Sequence, residues 1–266
     1  MNDLPEKETI PHPSLKIIFG LILAGFILVV VLLSVFSLAG ASTSSLLVFG
    51  EISLIVPTIV YLNRKNHNLR EVFRFKLIDP KIIYLSFPLG ISITILSDEI
   101  DRIVGTFMEI PAEWQEIIAK NLIADSPSEW FSLLLGTVVL AGIFEEMLFR
   151  GMLQKAFERK FDLHQAIFLT AFVFAIIHLP FWLIQIMILG TVLGFIAWRS
   201  NSIIPTIILH CLNNGFALIF ANSNPESWNW YNWNGHVNPT VLVIAAGLLF
   251  YSAKSFFRLT KNTYAA

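Results

Sequence analysis

The stretch WFSLLLGTVVLAGIFEEMLF occupies residues 130–149 and is followed directly by Arg150. It has the composition of a membrane-spanning helix except for two adjacent acidic residues, Glu145 and Glu146. An acidic residue near the middle of such a helix costs about 2.5–3.5 kcal/mol on insertion scales, whereas each Leu, Ile, Val or Phe returns about 0.3–0.6 kcal/mol. The apolar residues barely offset that cost, so the two carboxyl groups indicate a functional site. Arg150, four residues after Glu146, is the first candidate partner.

The composition of the whole chain agrees with a membrane protein. Of its 266 residues 55% are hydrophobic and only 14% are charged, which predicts an all-α polytopic protein embedded in a lipid bilayer. Cys211 is the single cysteine, which excludes an intramolecular disulfide and a multi-cysteine metal site. No nucleic-acid signature is present. The apolar run 17–38 exceeds the hydrophobic region of a signal peptide and is interpreted as a retained span.

The apolar segments predict a bundle of about eight transmembrane helices. We assign three parts of one integral-membrane unit: residues 1–129 hold three spans and an acidic external segment, 130–220 form a core that contains the candidate site, and 221–266 hold an aromatic external loop and the last span. The predicted spans are 17–40, 46–62, 82–97, 130–149, 163–179, 181–198, 203–220 and 238–253.

The basic residues predict the orientation in a plasma membrane. With both termini cytoplasmic, all Lys and Arg residues except Arg102 and Lys120 fall on the cytoplasmic side, which follows the positive-inside rule. The predicted external segment 98–129 is acidic, and we expect one or two surface helices there. The external loop 222–238 is rich in Trp, which favours an aromatic belt at the headgroups, with a substrate-binding role as the alternative.

Three more polar residues lie in predicted spans. His178 ends the fifth span, and His210 and Asn214 share one face of the seventh because they are four residues apart. Each one alone also fits an interfacial histidine or an asparagine that links two helices. Together with the two glutamates, they indicate one common functional site in the same half of the bundle.

These residues fall into three motifs that resemble those of a known family. Glu145-Glu146-Met-Leu-Phe-Arg150, Phe174-Ala-Ile-Ile-His178 and His210-Cys-Leu-Asn-Asn214 resemble the EExxxR, FxxxH and HxxxN motifs of the CPBP intramembrane proteases. That family includes the type II CAAX prenyl proteases and the bacteriocin-processing and immunity proteins. The resemblance covers about residues 130–220 and implies an intramembrane endopeptidase with a peptide or protein substrate.

The resemblance also implies a role for each motif residue. Glu145 is expected to act as general base on a water molecule that His178 positions, and His210 with Asn214 is expected to stabilise the oxyanion. Glu146 and Arg150 are expected to form an ion pair that supports the helix, and Phe174 belongs to the supporting set through its motif.

A zinc site is the alternative within the enzyme class, because the family is often labelled as metalloprotease. Glu145, His178 and His210 would then be the ligands, with an open fourth position for water. The chain has no HExxH motif, so we favour the mechanism without a cofactor. Cys211 projects from another part of its helix than His210 and is not expected to be a nucleophile.

Two other classes of function stay open at this point. One is a non-catalytic immunity or scaffold protein that retains the motif residues for stability. The other is a proton-coupled transporter that uses the carboxyl groups as a relay; the lack of an internal repeat weakens it.

One prediction from straight helices conflicts with a shared site. Glu145 lies about 22 Å from the external end of span four, whereas His178 lies about 22 Å from the cytoplasmic end of span five. Straight spans would keep the two residues apart. Either span five begins deep in the cytoplasmic leaflet after an inward-leaning segment 152–162, or the spans tilt around a water-filled cavity.

Overall fold

The computed structural model describes residues 12–108, 110–178 and 180–261, and within these ranges the chain folds into ten helices, α1–α10. Short 3₁₀ turns at Pro180–Trp182 and Pro225–Trp228 and a two-stranded hairpin complete the described part. The helices are α1 (Leu15–Leu38), α2 (Thr43–Arg64), α3 (Leu69–Val72), α4 (Pro80–Gly105), α5 (Ala112–Leu122), α6 (Pro127–Glu158), α7 (Leu163–Ile176), α8 (Leu183–Ser200), α9 (Ile204–Ala221) and α10 (Pro239–Leu259).

Seven of the helices in the described ranges are long and apolar enough to cross a membrane. The eighth apolar helix, α7, has 14 residues and therefore reaches about 21 Å, less than the 30 Å hydrocarbon core. The prediction of an all-α polytopic membrane protein with about eight helices is confirmed. The segment predicted as 163–179 is a short helix that ends at Ile176, before the proline at residue 180.

The helix that carries both glutamates is longer than the sequence predicts. The predicted span ends at residue 149, with a cytoplasmic connection from 150 to 162, but α6 continues for 32 residues to Glu158. That prediction is wrong because Arg150 is fully buried and paired inside the bundle, so it does not mark a helix end. The apolar side chains after it, such as Met152 and Leu153, are also fully buried.

The extended α6 removes the depth conflict between Glu145 and His178. Glu145 now lies 13 residues before the end of α6 at Glu158, or about 20 Å. His178 lies 15 residues beyond the start of α7 at Leu163, or about 22 Å. Since the two helices pack together and join through a short turn, both residues reach a similar depth.

The bundle has two main apolar cores. One lies between α1, α2, α6 and α7 and contains Ile22, Leu54, Phe149 and Phe174. The other lies between α4, α8, α9 and α10 and contains Leu89, Leu193, Leu209 and Phe256. The candidate site lies where the helices of these two cores meet.

The C-terminal end of α6 is held by polar contacts. Arg74, which is buried, forms an ion pair with Glu158. Gln154 donates its side-chain N–H groups to Glu158 Oε1 at 2.8 Å and to the Gly194 carbonyl at 2.9 Å. Gly151 allows a close approach here, because a Cβ at this position would lie 2.5 Å from the Phe73 carbonyl oxygen. These contacts explain why the helix does not end at the predicted boundary.

The predicted aromatic loop packs partly against α4. Asn234 and Gly235 adopt positive φ values between β1 (Asn232–Trp233) and β2 (His236–Val237), as Asn-Gly hairpin turns do. Tyr231 is 1% exposed and donates to Asp98 Oδ2 at 2.7 Å. Burial and this hydrogen bond raise the pKa of Tyr231. Tyr231 is therefore a packing residue, whereas Trp230 and Trp233 are exposed, as membrane-interface anchors are.

We predict that the connection between α2 and α3 faces the cytoplasm and that the aromatic loop faces outward. Single cysteines at the exposed positions Lys65 and Ser227, in a Cys211→Ala background, test this orientation with a membrane-impermeant maleimide on intact cells. Labelling at 227 and protection at 65 is the expected result, with labelling of both after lysis as the control. The reverse pattern would invert the orientation.

Candidate active site

Two π-helical stretches in α6 flank the glutamate pair. Leu134–Leu140 and Met147–Leu153 are π-helical, and the α-helical Ala141–Glu146 lies between them. Interruptions of this kind are frequent at functional sites because they change which side chains a helix turns inward. Adjacent residues on a helix point about 100° apart, so the two glutamates face different surroundings.

Glu146 is the centre of a buried polar cluster. Its Oε1 atom accepts from Arg150 Nη1 at 2.7 Å, and both side chains are 0% exposed. The same oxygen lies 3.0 Å from His210 Nδ1 on α9. Since a carboxylate oxygen accepts, His210 donates through Nδ1. Glu146 therefore joins α6 to α9 and does not face the cavity described below.

Arg150 is enclosed by α7 and α8. Its guanidinium lies 4.2 Å from the ring centroid of Phe174 and donates through Nη2 to the Gly190 carbonyl at 3.3 Å. Gly190 makes room for it, since a Cβ there would lie 3.3 Å from Arg150 Nη2 and 3.2 Å from the Ala171 side chain. The predicted Glu146–Arg150 pair and the motif residue Phe174 thus form one buried unit.

His178 has a defined ring orientation. Its Nδ1 atom lies 2.7 Å from the Phe174 carbonyl oxygen, which can only accept, so Nδ1 carries a proton. In the neutral ring Nε2 is then a hydrogen-bond acceptor. The ring of Phe174 lies 4.7 Å from that of His178, centroid to centroid, and 6.0 Å from that of His210. The ring of Phe174 is therefore adjacent to both histidine rings.

Glu145 faces the second nitrogen of His210. Its Oε2 atom lies 3.8 Å from His210 Nε2, and its side chain is 14% exposed. Asn214, one turn further along α9, donates through Nδ2 to the Thr137 carbonyl at 2.9 Å. That bond uses one of the two amide hydrogens of Asn214 and leaves the other free for a ligand.

All four predicted catalytic residues line one cavity of about 510 Å³. Glu145 comes from α6, His178 from the end of α7, and His210 and Asn214 from α9. A cavity of this size accommodates a short peptide segment. Further polar residues in its wall are Thr94, Asp98, Asp101, Thr137, Gln185 and Asn213. The structure brings the predicted residues together, and their catalytic roles stay predictions.

Sequence analysis missed one acidic residue near this group. Glu51 on α2 lines a second cavity of about 180 Å³, and Glu145 and His178 also line that cavity. The signal was visible in the sequence, since Glu51 lies inside the predicted span 46–62. It has no motif partner in sequence and becomes informative only through the packing of α2 on α6.

The residues of the alternative zinc set line one cavity. Glu145, His178 and His210 all contribute to its wall, although within the described ranges no three His, Cys, Asp or Glu side chains are close enough together to form a ligand group. Nδ1 of His178 and of His210 are each engaged by an acceptor, as they are in histidines that bind a metal through Nε2. The zinc alternative and the cofactor-free mechanism therefore both stay predictions.

Comparison with known proteins supports the recognition made from the motifs. Residues 127–216 match the family described as Type II CAAX prenyl endopeptidase Rce1-like. Over this segment, about a third of the chain, the sequence is similar to that family. The match contains all three motifs and supports membership of the CPBP and CAAX protease family and the assignment as an intramembrane protease. No curated protein and no solved structure matches the chain.

We predict that Arg150→Ala lowers stability more than it lowers the specific activity of the protein that still folds. The change leaves the Glu146 carboxylate buried and without its cation, which typically costs about 3–5 kcal/mol. Thermal unfolding in detergent and the yield of inserted protein are the measurements. The double variant Glu146→Gln/Arg150→Ala should recover part of the loss, because no unpaired charge remains. Normal stability of Arg150→Ala together with lost activity would assign Arg150 to catalysis.

Proposed function

We propose that this protein is an intramembrane endopeptidase that hydrolyses a peptide bond with a water molecule activated by Glu145. The observation that carries the proposal is the single cavity shared by Glu145, His178, His210 and Asn214. The Rce1-like match over residues 127–216 supports the same class of reaction. The substrate is a peptide or protein segment of the CAAX type or a leader or bacteriocin peptide, the classes that the family processes.

Glu145 and His178 would act on one water molecule. Glu145 accepts a proton from the water, and the water oxygen attacks the carbonyl carbon of the substrate. His178 accepts a second hydrogen bond from the same water through Nε2, since Nδ1 is held by the Phe174 carbonyl. The low polarity of the surrounding helices strengthens both interactions.

Asn214 and His210 would stabilise the oxyanion that forms on the carbonyl oxygen. Asn214 supplies the free hydrogen of its side-chain amide, which the Thr137 carbonyl already orients. His210 can donate through Nε2 only when that nitrogen carries a proton in addition to Nδ1, which Glu146 engages. Asn214 is therefore the donor that needs no change of protonation.

We predict that Glu145→Ala and His178→Ala each lower peptide hydrolysis by about 100-fold or more. Because both residues act on one water, the double variant should be little worse than either single variant. Cleavage of an internally quenched peptide library by the protein in liposomes is the measurement. Thermal unfolding of each variant is the control for folding.

Two outcomes of this experiment would contradict the proposal. Multiplicative losses in the double variant would show that Glu145 and His178 act in separate steps. Full biological function of a Glu145→Gln variant would favour the non-catalytic immunity or scaffold role.

The matched control for Glu145→Gln is Glu226→Gln. Glu226 is exposed in the aromatic loop, so this variant changes the same chemical group outside the cavity.

A further inference from the structure

Glu51 is the acidic side chain of α2 that has no role in the mechanism above. Its Oε2 atom is buried and has no hydrogen-bond partner among the described residues. Its side chain and that of Glu145 line the same small cavity. A buried polar group without a partner is costly, so its retention in a membrane helix calls for a functional reason.

The cavity that Glu51 lines has a mostly apolar wall. Its wall is formed by α1, α2, α6 and the end of α7, and of the twelve wall residues only Glu51, Glu145 and His178 are polar. From α1 come only Phe26, Val29 and Leu33. The titratable groups that face Glu51 in this wall are thus Glu145 and His178, and no Lys or Arg is among them.

This environment favours one protonated and one ionised carboxyl group. An ionised carboxylate that is buried without a cation costs far more free energy than the neutral acid. Two carboxyl groups that face one small space cannot both be ionised without further cost, which is how paired carboxyl groups divide the roles of acid and base. Glu145 is the base in the proposed mechanism, so Glu51 is the group that carries the proton.

The two cavities meet at Glu145 and His178. These two residues line both cavities, whereas His210 and Asn214 line only the larger one. In one of the two orientations of a peptide bond whose carbonyl oxygen is directed at His210 and Asn214, the scissile nitrogen points toward the smaller cavity. Glu51 lies on that side, and the proposal below takes this orientation.

We propose that Glu51 is a further catalytic residue, which donates a proton to the nitrogen of the leaving amine when the C–N bond breaks. The inference rests on the proposed endopeptidase function. Glu145 takes one proton from water, the water oxygen bonds to the carbonyl carbon, and the C–N bond breaks as nitrogen receives the proton of Glu51. The proton on Glu145 then returns to Glu51 through His178 or water, so that the products are a carboxylic acid and an amine.

The test compares two leaving groups. Wild-type protein in phosphatidylcholine–phosphatidylglycerol liposomes is used to find the best-cleaved peptide of a quenched library. The same peptide is then made with an ester oxygen in place of the scissile nitrogen. An alkoxide leaves with much less help from an acid than an amide nitrogen does. Glu51→Gln should lower kcat/KM about 100-fold on the peptide and less than about tenfold on the ester.

Two further variants make the result decisive. Thr58→Val removes a buried hydroxyl from the same helix outside the cavity and should change neither rate. Glu51→Asp keeps the acid and should retain more peptide hydrolysis than Glu51→Gln. If Glu51→Gln does not fold, Glu51→Asp is compared with the wild type, and a larger loss on the peptide than on the ester is the expected result.

Equal losses on both substrates, or no loss, would overturn the role of Glu51. Failure of the wild type to cleave either substrate would instead refute the proposed function.

Discussion

The buried contact between Glu146, Arg150 and His210 is the constraint on which the rest of the site depends. It ties α6 to α9 through one carboxylate oxygen and fills the space beside α7 and α8 with the guanidinium of Arg150. A charge pair inside a membrane bundle needs contacts from other parts of the protein, and here His210, the Gly190 carbonyl and the ring of Phe174 supply them. Because Glu146 is held in this way, its neighbour Glu145 is directed into the cavity.

The length of α6 has a similar consequence for His178. A helix that ended at residue 149 would leave Glu145 near the inner surface and His178 near the outer one. The helix instead continues to Glu158, held there by Arg74 and Gln154, and α7 ends after only 14 residues. Both residues therefore line one cavity, as the water molecule proposed to be shared by them requires.

Much of the fold could be predicted from the sequence, because apolar length is a strong signal in membrane proteins. The eight apolar segments all correspond to helices, and the three motifs identify residues that line one cavity. The boundary at residue 149 could not be predicted, because the expected ion pair of Arg150 does not fix where the helix ends. The contacts that extend it, from Glu158 to Arg74 and from Gln154 to Gly194, join parts of the chain that are distant in sequence. The role proposed for Glu51 depends on the packing of α2 against α6, which neither motif spacing nor hydropathy reports.

Cross-linking can measure whether Glu145 and His178 meet at one depth in the bundle. Cysteine pairs are introduced in a Cys211→Ala background and treated with a short bifunctional thiol reagent. We expect Glu145→Cys/His178→Cys to be cross-linked within one chain. Trp130→Cys/His178→Cys should not be, since Trp130 lies about 22 Å from Glu145 along α6. Cross-linking of the 130–178 pair without the 145–178 pair would place His178 near the outer surface and contradict the shared site.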